Sequence, residues 1–257
     1  RRAGGRPVSD GSVRLFCLPF EGVSAGVYLP WREALGPAVV VTPVELPGRG
    51  RHPRTRPCSR MEHLLAEVMP YVVRMRDRPF ALYGHGFGAL LAYEIAARLE
   101  WEHDAVAERL YVSGAALPHR PAAGRPGGGP PDAGLPDAEL LRRLGECGRI
   151  PPGAQDPRRA GRVLAALRAD RAVLAAYRRD PRHVVHCPVT LMTGRDDRGA
   201  AAGPAGWRLC TRGSLRTHTL PGGHYFPLTA GWDLLDIFTR DLLRPPAVRR
   251  ARAAAAR

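Results

Sequence analysis

The 257-residue sequence contains no lysine and no asparagine, and isoleucine occurs only three times. All 39 basic residues are therefore arginine, and the formal net charge is +15. This bias is typical of a GC-rich genome rather than of a nucleic-acid-binding surface, because the arginines are spread along the chain without aromatic interleaving or a recognisable nucleic-acid motif. We expect no nucleic-acid partner, although the charge suits an acidic protein partner.

Long apolar runs and paired cysteines are also missing. No run approaches the roughly 18 residues that a membrane helix needs, and residues 1–6 lack the apolar core of a secretory signal. The cysteines, whose odd total and spacing fit neither a disulfide framework nor a zinc site, are Cys17, Cys58, Cys147, Cys187 and Cys210. We therefore expect a cytoplasmic protein with no membrane association, no metal and no cofactor.

The sequence does contain short apolar runs that alternate with helical patterns. This alternation predicts βα units around a mostly parallel sheet, an α/β fold. Strands are predicted at Val13–Leu18, Val39–Leu46, Phe80–Tyr83, Leu110–Ser113, Val189–Met192 and Leu215–Leu220. Helices are predicted at Met61–Met75, Gly88–Leu99 and Trp232–Leu243.

The stretch from residue 118 to residue 186 has a different character. It opens with a Pro/Gly-rich linker, Arg120–Pro131, and continues with two helical patterns, one after a predicted N-cap at Asp137 and one over Arg162–Tyr177. Helices inserted between two strands of a sheet predict a lid. The predicted organisation is a core formed by residues 13–117 and 187–243, a lid insertion at 118–186, and disordered tails at 1–12 and 244–257.

The most informative segment is FALYGHGFGALLAY, residues 80–93. An apolar strand ends in Gly-x-X-x-Gly and passes into a helix, which is the pattern of the nucleophile elbow in α/β-hydrolases. Gly86 occupies the nucleophile position. Glycine-rich turns also cradle phosphates, but Gly84, Gly86 and Gly88 give GxGxG rather than the GxGxxG of dinucleotide-binding folds.

An acid and a base follow the elbow in the chain order that this fold requires. Asp197 ends a GxxD turn after the strand Val189–Met192, and His224 lies in the PGGHYF segment after the strand Leu215–Leu220. In hydrolases the acid fixes the imidazole tautomer and the imidazole takes a proton from the attacking group. Asp196 is the alternative acid.

Together these motifs resemble type II thioesterases, the free-standing editing enzymes of polyketide and nonribosomal peptide synthetases. The resemblance covers about residues 13–243 and implies an α/β-hydrolase fold with a helical lid. It also implies acyl thioester substrates on the phosphopantetheine arm of an acyl or peptidyl carrier protein. The motifs that carry it, besides the elbow, are LFCLPF at 15–20, VELPGRG at 44–50, LYVSG at 110–114, LPDAELL at 135–141, CPVT at 187–190 and GGHYF at 222–226.

The resemblance also implies roles for individual residues. Asp197 and His224 are the acid–base pair, and the backbone N–H groups of Phe87 and Glu21 form the oxyanion hole. Candidate residues of the substrate pocket are Phe20, His85 and Tyr225. The chain departs from the family at two of its positions, because the family has serine at position 86 and small residues where Glu21 stands.

A glycine supplies no nucleophile, so the usual acyl-enzyme cannot form at position 86. One hypothesis is weak hydrolysis, or its replacement by non-covalent acid–base chemistry of His224 and Asp197. A second is a noncatalytic pseudoenzyme that binds carrier proteins or synthetase modules, and a third is a degenerating gene copy or a sequence error. Whether Ser24 or Tyr225 reaches the substrate instead depends on the tertiary structure.

Overall fold

Six parallel strands form the central sheet of the protein, in a computed structural model that describes residues 11–115, 135–197 and 204–243. The order across the sheet is β2-β1-β3-β4-β5-β6, and every strand pair is parallel. The strands are β1 Val13–Leu18, β2 Val39–Pro43, β3 Phe80–His85, β4 Arg109–Ser113, β5 Val189–Gly194 and β6 Leu215–Leu220. The predicted α/β-hydrolase fold class is confirmed.

Some strands end at residues other than those predicted from the sequence. β3 was predicted to end at Tyr83 but continues to His85, because Gly84 pairs with Leu18 on one side and His85 with Ser113 on the other. β2 ends at Pro43 rather than at Leu46. Pairing partners on neighbouring strands decide these ends, and a single segment does not reveal them.

Helices cover both faces of the sheet. β1 is buried along its whole length, and its side chains alternate between two apolar clusters, with Phe16 and Leu18 in one and Leu15 and Cys17 in the other. The first cluster includes α2 and α3, and the second includes α1 and α8. The helices are α1 Trp31–Leu35, α2 Met61–Arg74, α3 Phe87–His103, α4 Asp137–Glu146, α5 Ala160–Ala176, α6 Pro204–Arg208, α7 Phe226–Thr229 and α8 Gly231–Leu242.

The helices α4 and α5 lie between β4 and β5 in the chain, where the sequence predicts a lid. They have a small apolar cluster of their own, which consists of Leu140, Leu144, Leu164 and Leu167. The prediction of Asp137 as N-cap was wrong by one residue, because α4 begins at Asp137 and Pro136 occupies the cap position. The Asp137 carboxylate instead pairs with Arg168 of α5 at 2.6 Å.

Some sequence predictions remain predictions. The linker Arg120–Pro131 lies outside the described residues, as do most of both predicted tails, and the lid limits of 118–186 are not tested. No helix in the described ranges is long and apolar enough to cross a membrane.

The strand order predicts a crevice at the carboxyl ends of the strands. The chain passes from β1 outward to β2 and then returns to β3 on the other side of β1. In open parallel sheets ligands bind at the carboxyl ends of the strands, where the order reverses in this way. The loop after β1 and the turn after β3 therefore flank the expected site.

Candidate active site

The turn from β3 into α3 is a sharp elbow with Gly86 at its centre. Gly86 has φ 54° and ψ −117° and caps the N-terminus of α3. Its N–H donates to the Ser113 carbonyl at 2.8 Å, which fixes the turn against the end of β4. A positive φ favours glycine, because a side chain in that region is strained by about 1–3 kcal/mol.

The two glycines that flank Gly86 are required for a steric reason. A Cβ on Gly84 would lie 2.0 Å from the Gly88 carbonyl oxygen, and a Cβ on Gly88 would lie 2.5 Å from the Leu18 carbonyl oxygen. Both contacts are with backbone and cannot relax by a side-chain rotation. The glycine spacing thus lets the first turn of α3 pack directly on β3 and β1.

Gly84→Ala is therefore expected to lower the free energy of unfolding by about 1–3 kcal/mol, the usual cost of overpacking. Urea denaturation of the wild type and the variant measures the difference. Gly161→Ala, on helix α5, is the matched control. Apart from its chain neighbours and the backbone of its own helix, a Cβ at position 161 would have no described atom within 4 Å. Alanine at that helical position is expected to stabilise by about 0.5–1 kcal/mol. Equal stability of the two variants would show that β3 and α3 are not in close contact.

The structure brings the predicted acid and base together opposite the elbow. The His224 Nδ1 and Asp197 Oδ2 atoms lie 2.8 Å apart, and both side chains are buried. A Cβ on Gly86 would have a single atom of the other described residues within 4 Å, the His224 Nε2 at 4.0 Å. The alternative acid, Asp196, is exposed, and its backbone N–H donates to the Gly222 carbonyl at 3.0 Å.

The dyad geometry follows from a close approach of two loops. A Cβ on Gly194, at the end of β5, would lie 2.4 Å from the Gly223 carbonyl oxygen. The loop that carries His224 therefore rests on the end of the strand that leads to Asp197. A carboxylate only accepts hydrogen bonds, so an Nδ1–H on His224 donates to Asp197 and leaves Nε2 with a lone pair directed toward the elbow.

His85 is a buried neutral imidazole beside the dyad. Its Nδ1 lies 2.9 Å from the Ser113 hydroxyl oxygen, and its ring centroid lies 4.8 Å from that of His224. Burial lowers the pKa of His85 well below the usual histidine value, and the neighbouring His224 lowers it further. His85 therefore adds no positive charge that would compete with protonation of His224.

Aromatic rings close the site on the side of the first loop. The ring of Phe20 lies 5.5 Å from that of His85 and 5.4 Å from that of Tyr225. The Tyr225 hydroxyl donates to the Arg149 carbonyl at 2.9 Å. Burial raises the pKa of the Tyr225 hydroxyl, and the nearby Glu21 carboxylate raises it further. The three predicted pocket residues, Phe20, His85 and Tyr225, thus lie side by side.

The loop after β1 is held by a buried ion pair. Asp170 of α5 accepts hydrogen bonds from both terminal nitrogens of Arg49 at 2.7 Å and from the Gly22 N–H at 2.8 Å. The Gly22 N–H is therefore occupied and not available to a substrate. Phe87 is the first residue of α3, so its N–H lacks an acceptor within the helix.

Neither Ser24 nor Tyr225, the substitute nucleophiles considered from the sequence, lies at the elbow, and neither does the buried Cys17. Ser24 donates to the Glu45 carboxylate at 2.8 Å and caps a short 3-10 helix, Ala25–Tyr28. The Tyr225 hydroxyl is engaged by Arg149, as described above. Cys17 is buried within β1, and burial raises the pKa of its thiol. Within the described part of the chain, His224 therefore faces no side-chain nucleophile across the elbow.

Two residues of the site escaped the sequence analysis. Ser113 bridges His85 and the Tyr83 hydroxyl, which lies 3.0 Å from its Oγ. Arg149 places its guanidinium 3.4 Å from Asp197 Oδ1. Ser113 falls within the LYVSG motif, whereas Arg149 lies between helices α4 and α5 in a segment without periodicity, which gave no indication of its role.

Comparison with known proteins shows a match to a family model described as a thioesterase domain, over residues 13–242. The thioesterase PikA5 of Streptomyces venezuelae is 33% identical over 86% of this chain and 77% of its own length. The AMB antimetabolite synthetase AmbE of Pseudomonas aeruginosa is 34% identical over 90% of this chain. The match spans only 11% of AmbE, so it concerns one part of a much longer protein.

Among solved structures, the type II thioesterase BorB from the borrelidin biosynthetic cluster is similar in both sequence and fold. It is 31% identical, with a TM-score of 0.79 over 92% of this chain and 95% of BorB. The similarity therefore extends over most of both chains.

Proposed function

Because the chain belongs to the thioesterase family, in the group related to the type II thioesterases of polyketide and nonribosomal peptide pathways, we propose that it acts on acyl thioesters carried by acyl or peptidyl carrier proteins. In this proposal Gly86 stands where the family has its serine nucleophile, and the reaction proceeds without an acyl-enzyme. The observation that carries it is the buried His224–Asp197 pair, whose Nε2 faces the side-chain position of Gly86.

The proposed reaction is hydrolysis by a water molecule at the elbow. The His224 Nε2 accepts a proton from the water as its oxygen adds to the thioester carbonyl carbon. The carbon–sulfur bond then breaks, and the thiolate that leaves takes the proton from the imidazolium. The products are a carboxylic acid and the free thiol of the phosphopantetheine arm. Asp197 holds the Nδ1–H and stabilises the imidazolium between these two steps.

The electrostatics of the site favour this reaction in part. The N-terminus of α3 carries a partial positive charge, and the Phe87 N–H is the first donor for a developing oxyanion. The Glu21 carboxylate, in the loop after β1, repels the negative charge that develops on the oxyanion. In serine hydrolases, loss of one triad member leaves about 10³–10⁴-fold catalysis over water, and we expect turnover of that order here.

His224→Ala is expected to lower thioester hydrolysis at least about tenfold, because a positioned general base contributes roughly 10²–10⁴-fold. Release of thiol from an octanoyl thioester, on both coenzyme A and a holo carrier protein, measures the rate. His103→Ala, an exposed histidine at the end of α3, is the matched control and is expected to retain wild-type turnover. Equal rates for wild type and His224→Ala would exclude catalysis by the dyad.

The second candidate function is noncatalytic binding of carrier proteins or synthetase modules. Glycine at the elbow and the Glu21 carboxylate in the loop after β1 favour it, because both disfavour acyl transfer. The helices of the predicted lid, α4 and α5, are nevertheless present. Calorimetric titration at low salt with an acidic holo carrier protein tests it. Binding by a protein whose turnover is unaffected by His224→Ala would favour this function, and absence of binding would exclude it.

We also propose a reducing, cytoplasmic setting for the protein. All five cysteines are free in the structure, and three of them are buried. Proteins of oxidising compartments commonly pair their cysteines.

A further inference from the structure

A cavity lies outside the dyad, between the start of α5 and the loop after β2. Its volume is about 320 Å³, and it is lined by Gly22, Ser24, Arg49, Pro53, Arg159 and Arg162 among others. Gly22 and Ser24 belong to the loop after β1, whose Phe20 contacts the rings of the catalytic site. One loop thus lines both this cavity and the proposed active site.

Arginines line this cavity, and others lie next to its lining residues in the chain. The segment 46–61, which follows β2, contains five arginines and no acidic residue. Besides Arg60, which pairs with Glu62 at 3.8 Å, three of these arginines are exposed, Arg51, Arg54 and Arg56. Across the cavity, Arg158, Arg159 and Arg162 at the start of α5 are also exposed. We call these six residues the arginine rim: Arg51, Arg54, Arg56, Arg158, Arg159 and Arg162.

The charge of the arginine rim is only weakly neutralised by the protein itself. Arg159 lies 3.5 Å from Asp156, and both side chains are substantially exposed. The attraction within such an exposed ion pair is weak, because water and salt screen it. By contrast, Arg49, which also lines the cavity, forms a buried ion pair with Asp170. The rim therefore concentrates positive charge on the side of the cavity where α5 begins.

We propose that the arginine rim is the docking surface for the acidic carrier protein and that Arg159 and Arg162 contact the phosphate of its phosphopantetheine arm. This inference rests on the proposed function, which supplies a partner that is acidic and carries a phosphodiester. Complementary charge steers such a partner to the rim and fixes its orientation. Arginine is suited to the phosphate because its planar fork forms two parallel hydrogen bonds with phosphate oxygens. The cavity places that phosphate beside the loop that leads to the dyad.

The first test compares two charge-reversal variants of the full chain. Arg51→Glu/Arg54→Glu/Arg56→Glu changes the rim, and Arg74→Glu/Arg178→Glu/Arg212→Glu changes three exposed arginines near the amino-terminal edge of the sheet by the same charge. Affinity for an octanoyl-loaded acidic acyl carrier protein is measured by fluorescence anisotropy in 50 mM salt. The rim variant is expected to bind at least about tenfold more weakly, and the control variant within about twofold of wild type.

The second test isolates the phosphate contact. The wild type is expected to bind the holo carrier protein more tightly than the apo form, which lacks the phosphopantetheine arm. Arg159→Gln/Arg162→Gln is expected to abolish this preference while leaving apo binding within about threefold of wild type. Thermal melts monitored by circular dichroism establish that each variant is folded, and a single-stranded RNA oligomer serves as a competing polyanion.

The outcomes separate this inference from the proposed function. If the wild type binds no carrier protein, the carrier-directed function itself is wrong. If it binds and the rim and control variants lose equal affinity, or neither loses any, the docking surface lies elsewhere. If the RNA binds the wild type as tightly as the carrier protein does, and the rim variant loses affinity for both, the rim is a non-specific polyanion site and the inference is overturned.

Discussion

Gly86→Ser is expected to raise thioester hydrolysis at least about a hundredfold over the wild-type protein and to produce a trappable acyl-enzyme. The expectation follows from the space and the base already at the elbow. In the wild-type structure the point where a Cβ would lie has the His224 Nε2 at 4.0 Å and no other described residue, apart from chain neighbours, within that distance. A serine Oγ lies one bond beyond that Cβ, and in a rotamer directed toward the imidazole it comes within hydrogen-bond distance of the His224 Nε2.

The magnitude of this gain reflects what a nucleophile contributes. In serine proteases, loss of the serine lowers kcat by about 10⁶-fold. We expect a smaller gain because Glu21 opposes the oxyanion and because serine at a φ of 54° costs about 1–3 kcal/mol of stability. Mass spectrometry after incubation with an octanoyl thioester, and labelling by a fluorophosphonate, would both report the new acyl-enzyme chemistry.

Gly86→Ala separates the nucleophile from the backbone. Alanine adds the same Cβ at the same positive φ but no hydroxyl, so we expect it to lose stability as serine does without any gain in turnover. A Gly86→Ser variant that neither turns over faster nor forms an adduct would show that the surrounding site no longer supports acyl transfer. Glu21→Ala in the Gly86→Ser background would then test whether the carboxylate is the cause.

The second large effect concerns Asp170, which is expected to be worth several kcal/mol to the fold. Its carboxylate accepts two hydrogen bonds from Arg49 and one from the Gly22 N–H. The side chains of Arg49 and Asp170 are 5% and 1% exposed. Asp170→Ala would leave a buried guanidinium without its counter-charge, which typically costs about 3–5 kcal/mol.

A double replacement tests the physical origin of this cost. Arg49→Met/Asp170→Leu removes both charges and fills the space with apolar atoms, so we expect it to be markedly more stable than Asp170→Ala alone. Asp236→Ala, which breaks the exposed pair with Arg240 on α8, is the control and is expected to cost less than about 1 kcal/mol. Urea denaturation of the four proteins gives the free energies of unfolding.

This ion pair also joins α5 to the loops after β1 and β2. Asp170 lies on α5, Arg49 in the loop after β2, and Gly22 in the loop after β1, so one carboxylate joins three separate segments. Hydrogen exchange at the Gly22 amide is expected to become faster in Asp170→Ala than in the Asp236→Ala control. An Asp170→Ala protein that remains within about 1 kcal/mol of wild type would contradict the burial of the pair.

The sequence by itself determined the fold and the position of the elbow. Alternation of apolar strands and helical patterns predicted the parallel sheet, because side-chain periodicity reports which face of each element is buried. The flanking Gly84 and Gly88 predicted the elbow, because strand and helix pack closely at this turn and leave no room for a Cβ at those two positions. The same motif places glycine at position 86, so any hydrolysis has to proceed without a side-chain hydroxyl at that position.

Only the tertiary structure decided between neighbouring candidates and added partners from distant segments. Asp196 and Asp197 are adjacent in one turn, and the approach of Gly194 to Gly223 determines that Asp197 is the one that meets His224. Asp170 lies 121 residues from Arg49 and 148 from Gly22 in the chain. No local pattern encodes such contacts, because they depend on the order of strands across the sheet and on how α5 packs against the loops that follow β1 and β2.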